Sequence, residues 1–428
     1  MKGEGRQGGS KIFYGWWIVM VAGLGLFLCY SPIIVYTFGV FLKSVSQEFN
    51  WSRAEISLAL SLSLVVMSVA FPMIGRQVDR FGARKVIITA ALIFGLTLMS
   101  FYFLSASLLH FYAIYLVLGV VGGATGSVAY FSVISRWFDK RRGLAMGLAM
   151  VGVGLGSIFT PPLAQALIVA VGWRGAYMVM GLTVIVLTIP AVSLFLKETP
   201  QIMGLLPDGE QVGQAGTRRK DLEQQGMSCR EALRTGTFWL MCGAFFLVSA
   251  SINGCLVHLV PMLTDRGISD QNAAFAISLL GGASLLGRVG TGYLLDRFLA
   301  SHVAVCLFCG AALGVFLLRV EVSGRLAFFA SFLVGLGLGA EGDIMAYLVS
   351  RYFGLRAFGE IYGYILGLYT LGAVIGPILM GIDFDFRGSY RLVLGVFSLL
   401  TLIGAMLMAQ LGPYQILEKV AIPVKEAY

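Results

Sequence analysis

Apolar runs of about twenty residues recur along the whole 428-residue chain, and they leave few folds open to it. LALSLSLVVMSVAFPMIG and VIITAALIFGLTLMSFYFL are typical. They are continuous, whereas the strands of a transmembrane β-barrel alternate apolar and polar residues. With 58% hydrophobic and 12% charged residues, the composition excludes both a soluble globular domain and a disordered chain. The expected fold class is therefore all-α and integral to the membrane.

Hydropathy predicts twelve transmembrane helices, at about 14–43, 54–75, 85–105, 110–137, 144–171, 177–196, 237–263, 271–295, 301–319, 325–352, 359–381 and 389–411. The first run is too long for the apolar core of a signal peptide, and no small-residue cleavage site follows it. With both termini cytoplasmic, eight of the 31 Lys and Arg fall outside, Arg288 falls within a span, and 22 lie inside. That bias follows the positive-inside rule. Residues 197–236 are the one long polar stretch and read as a cytoplasmic linker. It separates an N-terminal six-helix bundle (1–196) from a C-terminal one (237–428).

The halves repeat. Gly75-Arg76-Gln77-Val78-Asp79-Arg80-Phe81 matches Gly292-Tyr293-Leu294-Leu295-Asp296-Arg297-Phe298, about half the chain later. Ser135-Arg136-Trp137-Phe138 matches Ser350-Arg351-Tyr352-Phe353, and Arg174-Gly175-Ala176-Tyr177 matches Arg387-Gly388-Ser389-Tyr390, at nearly the same displacement. Duplicated halves with a binding site between them suit a secondary transporter that works by alternating access.

The motifs narrow this reading. Gly75 to Lys85 resembles the G-x-x-x-D-R-x-G-R-K loop of the major facilitator superfamily. The resemblance implies a gating role for Gly75, Asp79 and Arg80, and for Asp296 and Arg297 in the second half. Asp79 would pair with a helix end or a basic residue in the outward-open state. Trp137-Phe138-Asp139-Lys140-Arg141-Arg142-Gly143-Leu144-Ala145 is similar to a signature of the monocarboxylate transporter family, Y-F-x-K-R-R-x-L-A. Gly15-Trp16 resembles part of that family's other signature, but Lys11-Ile12-Phe13 stands where its opening acid belongs. His258-Leu259-Val260-Pro261 and Gly287-Arg288 are similar to the bacterial branch that includes oxalate–formate exchangers. The resemblance implies carriage of a small monocarboxylate, of the lactate, pyruvate or acetate type, by symport with a proton in the inner membrane of a bacterium. The chain would act as a monomer, with no nucleic-acid partner and no cofactor.

Charge is costly in lipid, so ionisable residues in mid-span are functional candidates. Arg288 lies nine residues before Arg297, about 13 Å deeper along its helix. Asp343 lies eight residues before Arg351, about 12 Å deeper, with Glu341 slightly further in. A guanidinium pairs with a carboxylate through two parallel hydrogen bonds, which makes Arg288 the expected anion anchor. An internal Arg288–Asp343 ion pair is the competing reading, and a substrate carboxylate could displace it.

Where animal members of the family carry a first-span lysine, this chain has Tyr36. It has Ser284 in place of an aspartate one turn before the arginine. Oxalate–formate exchangers carry a second cation where this chain has Tyr369. One fixed cation suits a monoanion better than a dianion. Tyr36, Tyr130, Asn253 and Tyr369 sit deep enough to bond a carboxylate or hydroxyl, or to serve as packing residues.

A buried acid beside an arginine is poised between its charged and neutral forms, so Asp343 is the expected proton carrier. Glu341 points about 200° away around the helix, so the two are not expected to face one cavity, and it stands as a further proton-coupling candidate. His258 is a further candidate, either as a proton relay or as a partner for a carbonyl freed by Pro261. Three scattered histidines and six cysteines, mostly in apolar runs, gather no nucleophile–base pair or metal set, and no loop is long enough for a sensor domain. An enzyme or a receptor is therefore disfavoured. An anion exchanger without proton coupling remains the competing transporter.

Overall fold

The computed structural model describes residues 13–209, 226–320 and 324–414. Lys11, Ile12 and the middle of the linker, 210–225, lie outside the described residues. Eleven helical stretches are long and apolar enough to cross a membrane. One of them, Arg142–Phe195, runs 54 residues and breaks at Gly172, which splits it into spans 5 and 6. The described chain therefore crosses twelve times, and the protein is a multi-pass membrane protein. Span 2 is Arg53–Phe81, span 3 Ala83–Ser100, span 7 Gly236–Thr264 and span 8 Asp270–Leu295. Spans 9 to 12 are Ala300–Arg319, Gly324–Tyr352, Phe358–Arg387 and Arg391–Ala409.

Three boundaries differ from the sequence reading, each for a local reason. The run read as one helix over 14–43 is Gly15–Phe27, a π-helical turn over Ser31–Val35, and a separate helix Phe38–Phe49. Pro32 cannot donate a helical hydrogen bond, and the wider turn lets the Tyr36 N–H reach back to the Ser31 carbonyl at 3.0 Å. Thr160 on span 5 donates to the Pro32 carbonyl at 2.8 Å. Span 4 is interrupted likewise, as Leu108–Gly122, a short turn at Gly123–Thr125, and Ser127–Trp137. The Thr125 hydroxyl accepts the Tyr30 N–H at 3.2 Å, so the two irregular segments are tied together.

Spans 5 and 6 need no loop between them. Gly172 adopts φ 74, ψ 165, a conformation essentially confined to glycine, and reverses the chain in one residue. Beside it, Glu48 accepts from the Arg174 guanidinium at 2.8 Å, while Arg174 also donates to the Tyr102 and Leu104 carbonyls at 2.8 and 3.0 Å. This clamp gathers the outer ends of spans 3 and 6 and the helix after span 1. The Arg174 hydrogen bonds hold the Glu48 carboxyl below its ordinary value.

The linker is not wholly irregular at its ends. Pro200–Met203 and Pro207–Gly209 form tight turns, and Cys229–Ala232 forms one helical turn started by a Ser228–Glu231 capping box.

Candidate functional site

Two sets of residues in the described chain carry chemistry: a polar cluster in mid-membrane and a ring of contacts at the inner face. The polar cluster centres on Arg288, whose backbone carbonyl lies against Gly147 on span 5. The guanidinium is within electrostatic reach of Cys29 and Tyr36 on span 1, Glu341 and Asp343 on span 10, and Tyr362 and Tyr369 on span 11. Both acids are fully buried, and no hydrogen-bond partner meets either carboxylate or the Arg288 Nε. Arg288 and Asp343 therefore lie near each other without a direct ion pair.

Glu341, like Asp343, lies within electrostatic reach of Arg288. Span 10 is packed between spans 7, 8, 9 and 11, so opposite faces of it both look into protein. Glu341 is within reach of Tyr369 as well. Tyr36, which follows the π-turn of the first span, is 41% exposed.

The other candidates separate. Asn253 donates to the Ser249 carbonyl and hydroxyl at 3.0 and 3.2 Å, and it lies beside Tyr369. Ser284 is buried with its backbone against Gly339 of span 10. Tyr130 is buried with its hydroxyl against Gly25, and no interaction links it to Arg288. His258 bonds the Pro377 carbonyl through Nε2 at 3.1 Å and meets the Tyr390 hydroxyl through Nδ1 at 3.3 Å. It bonds a carbonyl of another helix rather than one freed by Pro261. Cys29 and Tyr362 were missed in the sequence reading. The Tyr362 hydroxyl joins Ser127 across the two halves at 2.9 Å. Ser31-Pro32, in the middle of an apolar run, was the available signal for an opened helix near Cys29.

At the inner face the repeated motifs meet helix ends. The Asp79 carboxylate, at the end of span 2, accepts the N–H groups of Gly359 and Glu360 at 2.9 and 2.8 Å, at the start of span 11. The Asp296 carboxylate, at the end of span 8, accepts those of Gly143 and Leu144 at 2.7 and 2.9 Å, at the start of span 5. Free N–H groups and the helix dipole make such N-termini natural carboxylate sites. Burial raises the Asp296 carboxyl above its ordinary value, against the Leu144 and Gly143 N–H groups and the nearby Arg351 and Arg142.

The motif glycines explain the close approach. A Cβ on Gly75 would collide with the Gly359 backbone, and one on Gly292 with the Gly143 backbone. Arg80 and Arg297 instead lie over the rings of Phe81 and Tyr293, at 5.1 and 4.2 Å from the centroids. A third contact crosses the halves where Arg351 donates to the Asp139 carboxylate at 2.9 Å. Further glycine contacts join spans 2 and 11 at Phe71–Gly363 and Ser68–Gly367, and spans 5 and 8 at Gly154–Leu285. The inner half of the molecule is thus closed by helix-on-helix contact below the polar cluster.

Twelve crossings packed against one another at one face, with charged residues buried in mid-span, define a polytopic α-helical membrane protein. Residues 16–377 match the model of the Major Facilitator Superfamily, and the chain belongs to that family. Monocarboxylate transporter 13 from Bos taurus is 28% identical over 397 residues, covering 90% of this chain and 87% of its own length. Monocarboxylate transporter 12 from Homo sapiens is 26% identical over 402 residues, covering 88% and 76%. Among solved structures, the proton:xylose symporter XylE superposes with TM-score 0.76 at 16% identity, covering 94% of this chain and 96% of its own. The fucose:proton symporter FucP gives 0.70 at 13% identity, covering 93% and 99%. These two likenesses concern the fold.

Proposed function

We propose that the protein carries small monocarboxylates of the lactate, pyruvate or acetate type together with a proton, by rocking residues 1–196 against 237–428. The observation that supports this most is the unpartnered Arg288 Nε beside two buried carboxylates in mid-membrane. A carboxylate entering from the outer side meets one guanidinium fork, flanked by the hydroxyls of Tyr36, Tyr362 and Tyr369. The names of the relatives favour the same substrate class.

Charge balance supports the proton. Bringing an anion alone into a cell that is negative inside costs about 2.3 kcal/mol per 100 mV. A proton carried with it removes that cost. Asp343 is the coupling acid in this reading: it is ionised beside Arg288 when the site is free and protonated when the substrate takes the guanidinium. Glu341 is the alternative acid. Both His258 nitrogens are engaged, which favours a structural role for it.

An exchanger of the oxalate–formate type is the second reading. The single cation of the cluster argues against a dianion. Residence in a bacterial inner membrane, close kinship to bacterial lactate–proton symporters, and action as a monomer belong to this proposal. Arg288→Lys tests it, because a point charge cannot reproduce the two-pronged contact. Lactate binding should fall by at least about tenfold, roughly the loss of one charge-assisted hydrogen bond. Native binding in that variant would overturn the proposal.

A further inference from the structure

The transport reading leaves the start of the linker without a task, yet that segment is firmly built. The Trp137 indole donates to the Lys197 carbonyl at 2.7 Å, and the Tyr14 hydroxyl to the Phe195 carbonyl at 2.9 Å. Phe13 packs against Trp137 and Phe138 with centroids 5.8 and 5.5 Å apart, and Gly209 closes onto Phe13. The segment is thereby seated on the inner ends of spans 1 and 4.

Asp208 lies at its tip with φ 60, one of two non-glycine residues at positive φ in the described chain. Asp and Asn are the non-glycine residues that accept this conformation most readily. It aims the Asp208 carboxylate at the loop between spans 4 and 5. There Oδ2 accepts the N–H groups of both Asp139 and Lys140, at 3.0 and 2.8 Å.

That loop carries the third contact between the halves. The Asp139 carboxylate and carbonyl take two Arg351 nitrogens at 2.9 and 2.8 Å, and Arg142 donates to Ser350 at 3.0 Å. We propose that Asp208 is a positioning residue for the inner gate: by gripping the Asp139–Lys140 backbone it presents Asp139 to Arg351 and so favours the state closed at the inner face. The linker start then sets the conformational balance as well as joining the halves. The inference needs only that the halves separate at this face, and not any particular substrate.

Hydrogen–deuterium exchange of the full chain in lipid nanodiscs, without substrate, tests it. Asp208→Gly removes the carboxylate and keeps the backbone conformation. If Asp208 acts on the gate, exchange should quicken on the order of tenfold at 359–362, a latch peptide on the other half, for the loss of the paired charge-assisted hydrogen bonds. Asp208→Asn, which keeps an acceptor oxygen and tolerates positive φ, should lie nearer the native rate. In an Arg351→Gln background Asp208→Gly should add little at 359–362, because it acts through the pair already removed. Quickening confined to 137–142, or an undiminished effect in the Arg351→Gln background, would mean that Asp208 only ties down the linker. Native exchange at both peptides would overturn the proposal outright.

Discussion

Removing the Asp79 carboxylate should shift the molecule toward the inward-facing state by an amount that can be worked from the latch geometry. Asp79 accepts two N–H bonds at 2.9 and 2.8 Å from the first turn of span 11. Hydrogen bonds to a charged group contribute about 1.5–3 kcal/mol each, and the helix end adds about 0.3–1 kcal/mol. Water replaces part of this once the halves part, so Asp79→Ala should cost the closed state about 2 kcal/mol, roughly 30-fold in population. Asp296 makes the equivalent pair at 2.7 and 2.9 Å on a different helix pair. The two losses should therefore add, giving about 4 kcal/mol and about a thousandfold in the double variant. The assay is a spin-label distance across the inner face, between Lys85→Cys and Phe298→Cys, both exposed positions, with the exposed Cys306 and Cys309 changed to serine. Each single variant should populate a longer distance, and the double variant should be dominated by it. A distribution unchanged in all three would refute the latch reasoning, since the bonds would then contribute nothing to closure.

Three further outcomes follow from other parts of the molecule. Gly172→Ala meets no atom within 4 Å, so its cost is purely that of holding alanine at φ 74, about 1–3 kcal/mol, and should appear as a lowered thermal midpoint in detergent. Glu48→Gln should lower the midpoint at neutral pH. Because the folded Glu48 value is depressed, its contribution is complete above the ordinary 4.5 and fades as pH falls through the depressed value. The wild-type and variant midpoints should thus converge in acid, and a difference that persists there would assign the effect to packing. Asp343→Asn should abolish lactate accumulation driven by a pH gradient while leaving lactate binding measurable; unchanged accumulation would move the coupling role to Glu341.

Much of the architecture was legible because lipid imposes it: a span must be long and apolar, and the repeat of Gly75–Phe81 at Gly292–Phe298 marks where the halves correspond. The same repeat located both latches, since Gly and Asp one helical turn apart serve one purpose in each half. The family resemblance offered a helix end or a basic residue as the partner of Asp79; which helix ends Asp79 and Asp296 grip was not legible, because backbone N–H groups leave no trace in residue identity. Helical spacing set Glu341 apart from Asp343, yet both lie within reach of Arg288, because span 10 is surrounded by other spans. The breaks near Pro32 and Thr125 were hidden by hydropathy, which stays high through an opened helix. Asp208 was not singled out within the polar 197–236 stretch, because its hold on Asp139 and Lys140 depends on a fold that brings that stretch back onto the loop.

Accumulation of labelled L-lactate in proteoliposomes, under an inward proton gradient and with the membrane potential clamped, tests the account most directly. Uptake should rise above equilibrium, collapse with a protonophore, and be lost in Arg288→Lys. Uptake indifferent to the proton gradient, or seen only when the vesicles are preloaded with a counter-anion such as oxalate or formate, would contradict it.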